Sequence, residues 1–179
     1  MGSIVPRSLF RCLDVACGNG RLALTLPLRS YRKIDLFDQC PVAIEDAKEA
    51  LAGEPRVGHI TEATMQSFEW TFSYSAIFMV WCAGYLPRGE LVKFLSKAKK
   101  HLIVDAPRRN RSFEPESFIF LLDNVLAPGE GPVVVKEQRV RAKEELEGIF
   151  EEAGLLVHKQ TGRQEMPGGN RDVVVWALY

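Results

Sequence analysis

Leu13-Asp14-Val15-Ala16-Cys17-Gly18-Asn19-Gly20-Arg21 is followed, after a short helical stretch, by Lys33-Ile34-Asp35-Leu36-Phe37-Asp38. An acid ends one apolar strand, small residues stand where the backbone must bend toward a ligand, and a second acid ends the next strand about one βαβ unit later. Glycine is required in such a bend, because a side chain at Gly18 or Gly20 would hold the loop away from a ligand and restrict its dihedrals. Strand and helix signals then alternate for the first hundred residues, the pattern of a parallel sheet flanked by helices. Phe10 to Val15 is the first predicted strand, Gly20 to Leu26 a helix limited by Pro27, and Lys33 to Phe37 the second strand. Pro41 suits the first turn of a helix reaching about Leu51. Arg56 to Ile60 reads as a short third strand and Tyr74 to Val80 as a fourth, apolar on both faces and so central.

The loop admits two ligand classes. Gly18-x-Gly20-x-x-Ala23 with Asp38 about twenty residues on satisfies the dinucleotide fingerprint. A pyrophosphate, however, is anionic and wants uncrowded amide hydrogens, and Asp14 beside the turn would repel it. S-adenosylmethionine carries an ammonium and a sulfonium and no phosphate, and still needs an acid such as Asp38 to accept from its ribose hydroxyls. Arg21, one residue past the loop, is placed to pair with a ligand carboxylate in a bidentate fork. The methyl donor is the preferred ligand; a nicotinamide cofactor and a glycine turn without any ligand are the alternatives.

The remaining composition bounds the answer. A chain of 179 residues suits one domain able to bury a core without disulfides or metals. Its 23 basic and 23 acidic side chains cancel, so no global field draws it to nucleic acid or membrane. Cys12, Cys17, Cys40 and Cys82 lack C-x-x-C spacing and read as buried thiols of a reducing compartment rather than bridges or ligands. His59, His101 and His158 stand apart, and no metal site is expected. Neither a membrane-length apolar run nor a hydrophobic signal region after Met1 is seen, so an intracellular protein, cytoplasmic or organellar, is expected.

Further along, Glu90 to Lys100 is a predicted helix and His101 to Val104 the fifth strand. Phe118-Ile119-Phe120-Leu121-Leu122 is read as part of a helix, before the turn signal Pro128-Gly129-Glu130-Gly131-Pro132. A helix from Arg141 to Ala153 stops at Gly154, and Leu155 to Lys159 and Asp172 to Leu178 close the sheet as antiparallel strands around Pro167-Gly168-Gly169-Asn170. The expected architecture is a Rossmann-like class I methyltransferase fold. It has a seven-stranded, mostly parallel sheet with a C-terminal antiparallel hairpin and helices on both faces, in a single domain over residues 1–179 with an inserted segment at about 107–138.

With the loop, Met65-Gln66-Ser67-Phe68, Val80-Trp81-Cys82-Ala83-Gly84-Tyr85-Leu86 and Arg163-Gln164-Glu165-Met166-Pro167 in view, the chain resembles the protein N-terminal α-amine methyltransferases. The resemblance implies that Ala16, Gly18, Arg21, Asp38, Met65 and Gln66 line the cofactor site. Asp14, Gly20 and Val80 join the candidate cofactor set. The resemblance also implies that Trp81 presents an aromatic wall to a substrate peptide. Where the family has a histidine thought to help deprotonate the amine, this chain has Tyr85. A family asparagine after strand five, which holds the peptide terminus, falls near Pro107. The family's next acidic stretch becomes Val135-Lys136-Glu137-Gln138, leaving Glu137 as its only carboxylate. Tyr85 and Glu137 are therefore the candidate catalytic residues. The family's N-terminal helices, which cover the peptide groove, have no counterpart ahead of strand one, and a partner subunit covering the cleft is one candidate for that role.

Three functions follow from these residues. The first is a methyltransferase acting on a protein or peptide N-terminal amine. The second is a methyltransferase-fold subunit with weak or no chemistry, serving as a scaffold in a protein or ribonucleoprotein assembly. The third is an RNA methyltransferase using the cluster Arg108, Arg109 and Arg111, since arginine binds phosphate well even on a neutral protein.

Overall fold

The computed structural model describes residues 11–25, 31–103, 117–127, 129–131, 133–135, 137–162, 164–165 and 172–179. The chain divides into two compact units, Met1–Phe78 with His101–Ser117, and Met79–Lys100 with Phe118–Tyr179.

In the first unit β1 (Arg11–Val15), β2 (Lys33–Asp38) and β3 (Val57–Glu62) form a parallel array with β2 in the middle, and β4 (Ala76–Val80) adjoins β1. Cys12, Leu13, Ile34, Leu36 and Ile77 are fully buried, as strands covered on both faces require. α1 (Arg21–Thr25) follows the glycine loop, and α2 (Pro41–Ala50) takes Pro41 at its start, turning Ile44 and Ala47 inward, while Cys40 just ahead of it is exposed and not buried as its sequence suggested. One charge interrupts the apolar run of β2. Asp35 is 3% exposed and fully engaged: Arg11 donates from Nε (2.5 Å) and Nη2 (2.7 Å), Tyr74 from its hydroxyl (3.2 Å) and His59 from its amide (2.9 Å). A buried carboxylate is tolerated only when its lone pairs are met in this way. The strand expected over His101 to Val104 reduces, in its described part, to a bridge between Leu102 and Tyr74, and Val104 lies outside the described residues.

β4 carries the chain into the second unit, where it adjoins β5 (Phe118–Val125). Here the sequence expectation is overturned. Phe118 to Leu122 is strand, not helix, with burial alternating residue by residue and a register running from Ile119 opposite Leu178 to Val125 opposite Asp172. A short apolar run cannot by itself tell a buried strand from a buried helix. β5 also lies inside the stretch read as an insertion. α3 (Arg88–Lys100) buries Leu91, Phe94, Leu95 and Ala98 and gathers Lys97, Lys99 and Lys100 in its last turn, where the helix dipole favours them. A two-stranded ribbon, β6 (Val133–Val135) with β7 (Gln138–Val140), precedes α4 (Lys143–Glu152). The closing strands are antiparallel as expected: β8 (Val157–Gln160) and β9 (Gln164–Glu165) both pair with β10 (Asp172–Leu178). Trp176 of β10 is fully buried, edge-on to Phe150 of α4. Among the described residues no helix is long and apolar enough to cross a membrane.

Candidate active site

The glycine loop of the first unit is held from below by backbone bonds. The Cys17 amide donates to the Phe37 carbonyl (3.0 Å) and the Gly20 amide to the Cys17 carbonyl (3.0 Å). To make the bend, Ala16, Gly18 and Gly20 all adopt left-handed backbone, with φ of 52°, 54° and 78°. The two glycines answer to different demands. A Cβ at Gly18 would meet nothing within 4 Å, whereas one at Gly20 would come within 3.0 Å of Leu51 Cδ1. Gly18 leaves open space; Gly20 lets the loop lie against the end of α2, so its smallness serves packing.

Two carboxylates flank this bend. Asp38 Oδ2 accepts the Gly18 amide and Oδ1 the Cys40 amide, both at 2.9 Å, which ties the end of β2 to the loop. Each oxygen retains a lone pair for a further donor. Asp14 is 2% exposed and its Oδ2 has no hydrogen-bond partner. Burial, and then the neighbouring Asp38 charge, push its carboxyl up to about 7. A buried, unsatisfied carboxyl oxygen costs free energy unless something binds it. Two acids and open space over Gly18 fit a cationic nucleoside such as S-adenosylmethionine and disfavour a pyrophosphate.

Met65 and Gln66 sit in a turn closed on itself. The Thr64 amide donates to Ser67 Oγ (3.0 Å), the Ser67 amide to Thr64 Oγ1 (3.1 Å), and the Phe68 amide to the Thr64 carbonyl (3.0 Å). Phe68 stacks on Phe37 of β2 at 4.2 Å, which anchors the turn to the sheet. Met65 is half-buried and Gln66 exposed; Arg21, at the start of α1, is exposed.

In the second unit, Val80 ends β4 and Trp81 follows it with φ of 53°, the residue 42% exposed. Both backbone groups of Trp81 are gripped: its amide donates to the Leu122 carbonyl (2.8 Å) and its carbonyl accepts Gln138 Nε2 (2.5 Å). A 3₁₀ turn at Ala83–Tyr85 then presents the exposed Tyr85. Gly84 is required because a Cβ there would lie 2.9 Å from the Arg139 carbonyl of β7. Glu137 is exposed in the tight β6–β7 turn, with φ of 68°.

Two residues absent from the sequence reading hold this turn. Asp123 of β5 accepts the Ala83 amide (3.0 Å), and burial pushes its carboxyl up to about 6, against the downward pull of the Asn124, Ala83 and Gly84 amides and of Arg141. Arg141, 2% exposed, donates to the carbonyls of Ala83 (3.0 Å) and Leu86 (2.5 Å), and its Nε lies 3.2 Å from Glu145 Oε1. An acid inside an apolar run and an arginine just ahead of a helix were the available signals. Pro107 lies outside the described residues, as do Arg108, Arg109 and Arg111.

An acid-flanked glycine loop after β1 of a parallel α/β array, with antiparallel closing strands, defines a class I methyltransferase fold. A solved SAM-dependent methyltransferase of Leishmania major superposes with a TM-score of 0.80 at 27% identity, over 98% of this chain and 67% of that one. The chain belongs to the family described as AdoMet dependent proline di-methyltransferases, whose sequence model matches residues 4–179. Curated relatives include alpha N-terminal protein methyltransferase 1 of Drosophila melanogaster, 26% identical over 88% of this chain and 55% of the relative. Another is N-terminal Xaa-Pro-Lys N-methyltransferase 1 of Danio rerio, 28% identical over 87% of this chain and 66% of the relative. This chain thus spans little more than half the length of the first of these and about two thirds of the second.

Proposed function

We propose that this chain is an S-adenosylmethionine-dependent methyltransferase acting on the N-terminal amine of a protein or peptide. The observation that carries the donor half of the reading is the pairing of Asp14, buried with an unmatched oxygen, with Asp38 at a loop left open over Gly18. Membership of a proline di-methyltransferase family, and relatives named for N-terminal Xaa-Pro-Lys methylation, support the substrate half.

The donor, when bound, supplies an electrophilic methyl group on a sulfonium. Asp38 would accept ribose hydroxyl hydrogens with the lone pairs its amide bonds leave free, Arg21 would pair with the donor carboxylate, and Met65 and Gln66 would contact the remaining nucleoside surface. On the peptide side, the exposed Trp81 packs against the chain. Alignment of amine and methyl at near-contact distance accounts for most of the rate. The amine must also be neutral. A terminal amine with an ordinary pKa near 8 is partly so at mild alkaline pH; the Tyr85 hydroxyl orients it, and the proton that the methylated ammonium then sheds passes to the exposed Glu137 carboxylate. With tyrosine in place of a histidine base, turnover should rise steadily from pH 7 to pH 9.

The test is transfer of labelled methyl from S-adenosylmethionine to peptides beginning Xaa-Pro-Lys, to their N-acetylated forms, and to RNA. Label on the free-amine peptides alone is the expected result. Label on RNA overturns the substrate assignment, and donor binding without transfer to any acceptor favours the scaffold reading, which the replacement of the family histidine by Tyr85 supports.

A further inference from the structure

β3 is the terminal strand of its sheet, paired with β2 on one side and, among the described residues, with no strand on the other. Its first half is bulged: Gly58 and His59 stand against the single residue Asp35, and the His59 amide donates to the Asp35 carboxylate (2.9 Å). The second half is regular, with Ile60, Thr61 and Glu62 opposite Leu36, Phe37 and Asp38. The Ala63 amide donates to the Asp38 carbonyl (2.9 Å). Main-chain groups alternate between the two edges of a strand, so those of Ile60 and Glu62 point off the sheet. Beside this edge, within the first unit, runs a groove of about 530 Å³ whose walls include His59, Glu62, Phe68, Glu69 and Phe72. None of Asp14, Gly18, Asp38, Met65 and Gln66 lines it.

The charges along this groove are answered unequally. Asp35, which also lines it, is forked by Arg11, whose Nη2 lies 3.1 Å from His59 Nδ1. Glu62 and Glu69 are exposed, and among the described residues no ion pair reaches either. Phe72 is 37% exposed, stacks on His59 at 5.4 Å and holds the Arg11 guanidinium 3.7 Å from its ring centre. An open strand edge is matched by the amides of another extended chain, and two unanswered carboxylates by cations carried on it. The geometry points to a docking site for an extended lysine- or arginine-rich segment of a partner protein. It adds to the sheet as a strand beside Ile60–Glu62, with its basic side chains against Glu62 and Glu69 and its intervening ones against Phe72. A small polyamine would meet the carboxylates and leave the edge unpaired. A second copy of this chain would bring its own Glu62 and Glu69 to an edge that is already negative. The site stands apart from the donor loop and does not depend on the reading of that loop.

The probe is a labelled peptide of alternating lysine and valine, acetylated at its start so that it offers no terminal amine to methylate. Titrated with the protein by fluorescence anisotropy, it should bind, and the double variant Glu62→Lys, Glu69→Lys should bind it about tenfold more weakly. The same peptide N-methylated along its central amides cannot pair with a strand edge and should lose binding to the unaltered protein. Hydrogen exchange at the Ile60 and Glu62 amides should slow when the unmethylated peptide is added. The last two measurements use the unaltered chain and decide the matter should the variant fail to fold. No binding, equal affinity for a glutamate–valine peptide, binding indifferent to N-methylation, or unchanged exchange at Ile60 and Glu62 would overturn the proposal. Protection of those amides in a peptide-free dimer would overturn it too, by giving the edge to a second copy.

Discussion

Replacing Asp14 by asparagine should make the ligand-free protein more stable at pH 8 while removing a group on which the site depends. The folded structure raises this carboxyl from 3.8 to about 7, so ionising it in the fold is harder than in the unfolded chain by roughly a thousandfold, or about 4 kcal/mol. Because the folded value is the higher one, the stability associated with the protonated carboxyl is whole below pH 4 and is lost as the pH climbs toward 7. Asparagine carries no charge and escapes that loss. Oδ2 makes no hydrogen bond that the exchange would break, but the new amide is itself buried, at a cost of roughly 1–3 kcal/mol. The variant should therefore exceed the unaltered protein by about 1–3 kcal/mol at pH 8 and show no advantage at pH 4.5. Urea unfolding at the two pH values measures this, as a midpoint raised by about 1 M at the higher pH with the slope unchanged. A midpoint difference that is the same at both, or a variant less stable at pH 8, would refute the account of Asp14 as a destabilising, functionally retained charge.

Asp38→Ala removes the acceptor of two loop amides and should weaken S-adenosylmethionine binding at least tenfold in calorimetry, with a stability loss of about 1–3 kcal/mol; unchanged affinity would remove Asp38 from the donor site. Arg141→Met fills the space of the guanidinium but leaves the Ala83 and Leu86 carbonyls without their donor, and a loss of about 2–4 kcal/mol is expected in urea titration. Gly58→Ala places a Cβ 2.3 Å from Asp35 Oδ1 and 3.1 Å from Arg11 Nη2, forcing that ion pair apart. With Arg11 partly solvated, about 2–4 kcal/mol should be lost, and a thermal midpoint within a degree of the unaltered protein would show that the pair can shift freely.

The β1–loop–β2 segment was legible because its signals are local: glycines mark the bend and acids mark the strand ends at the spacing of a βαβ unit. Phe118 to Leu122 was not, since what makes it a strand is β10, far along the chain, lying against it in register. Distance in sequence hid the packing role of Gly20 as well, which comes from Leu51 in addition to the left-handed backbone. The same holds for Asp123 and Arg141: nothing in their neighbourhoods names the Ala83 amide and carbonyl as partners. Trp81 and Tyr85 were singled out through resemblance. The grip on Trp81 from Leu122 and Gln138 is visible only in three dimensions.

That grip has a consequence for how this protein can change. Trp81 stands in left-handed backbone, a conformation that disfavours any side chain by roughly 1–2 kcal/mol, and it is kept there by its main chain being bonded on either side. Its ring is exposed, so the direction in which position 81 points is decided by the peptide skeleton and hardly at all by the indole. Aromatic or unbranched replacements inherit the same aim, so the chain can retune what it greets here with little effect on folding, whereas a β-branched residue would strain the left-handed backbone.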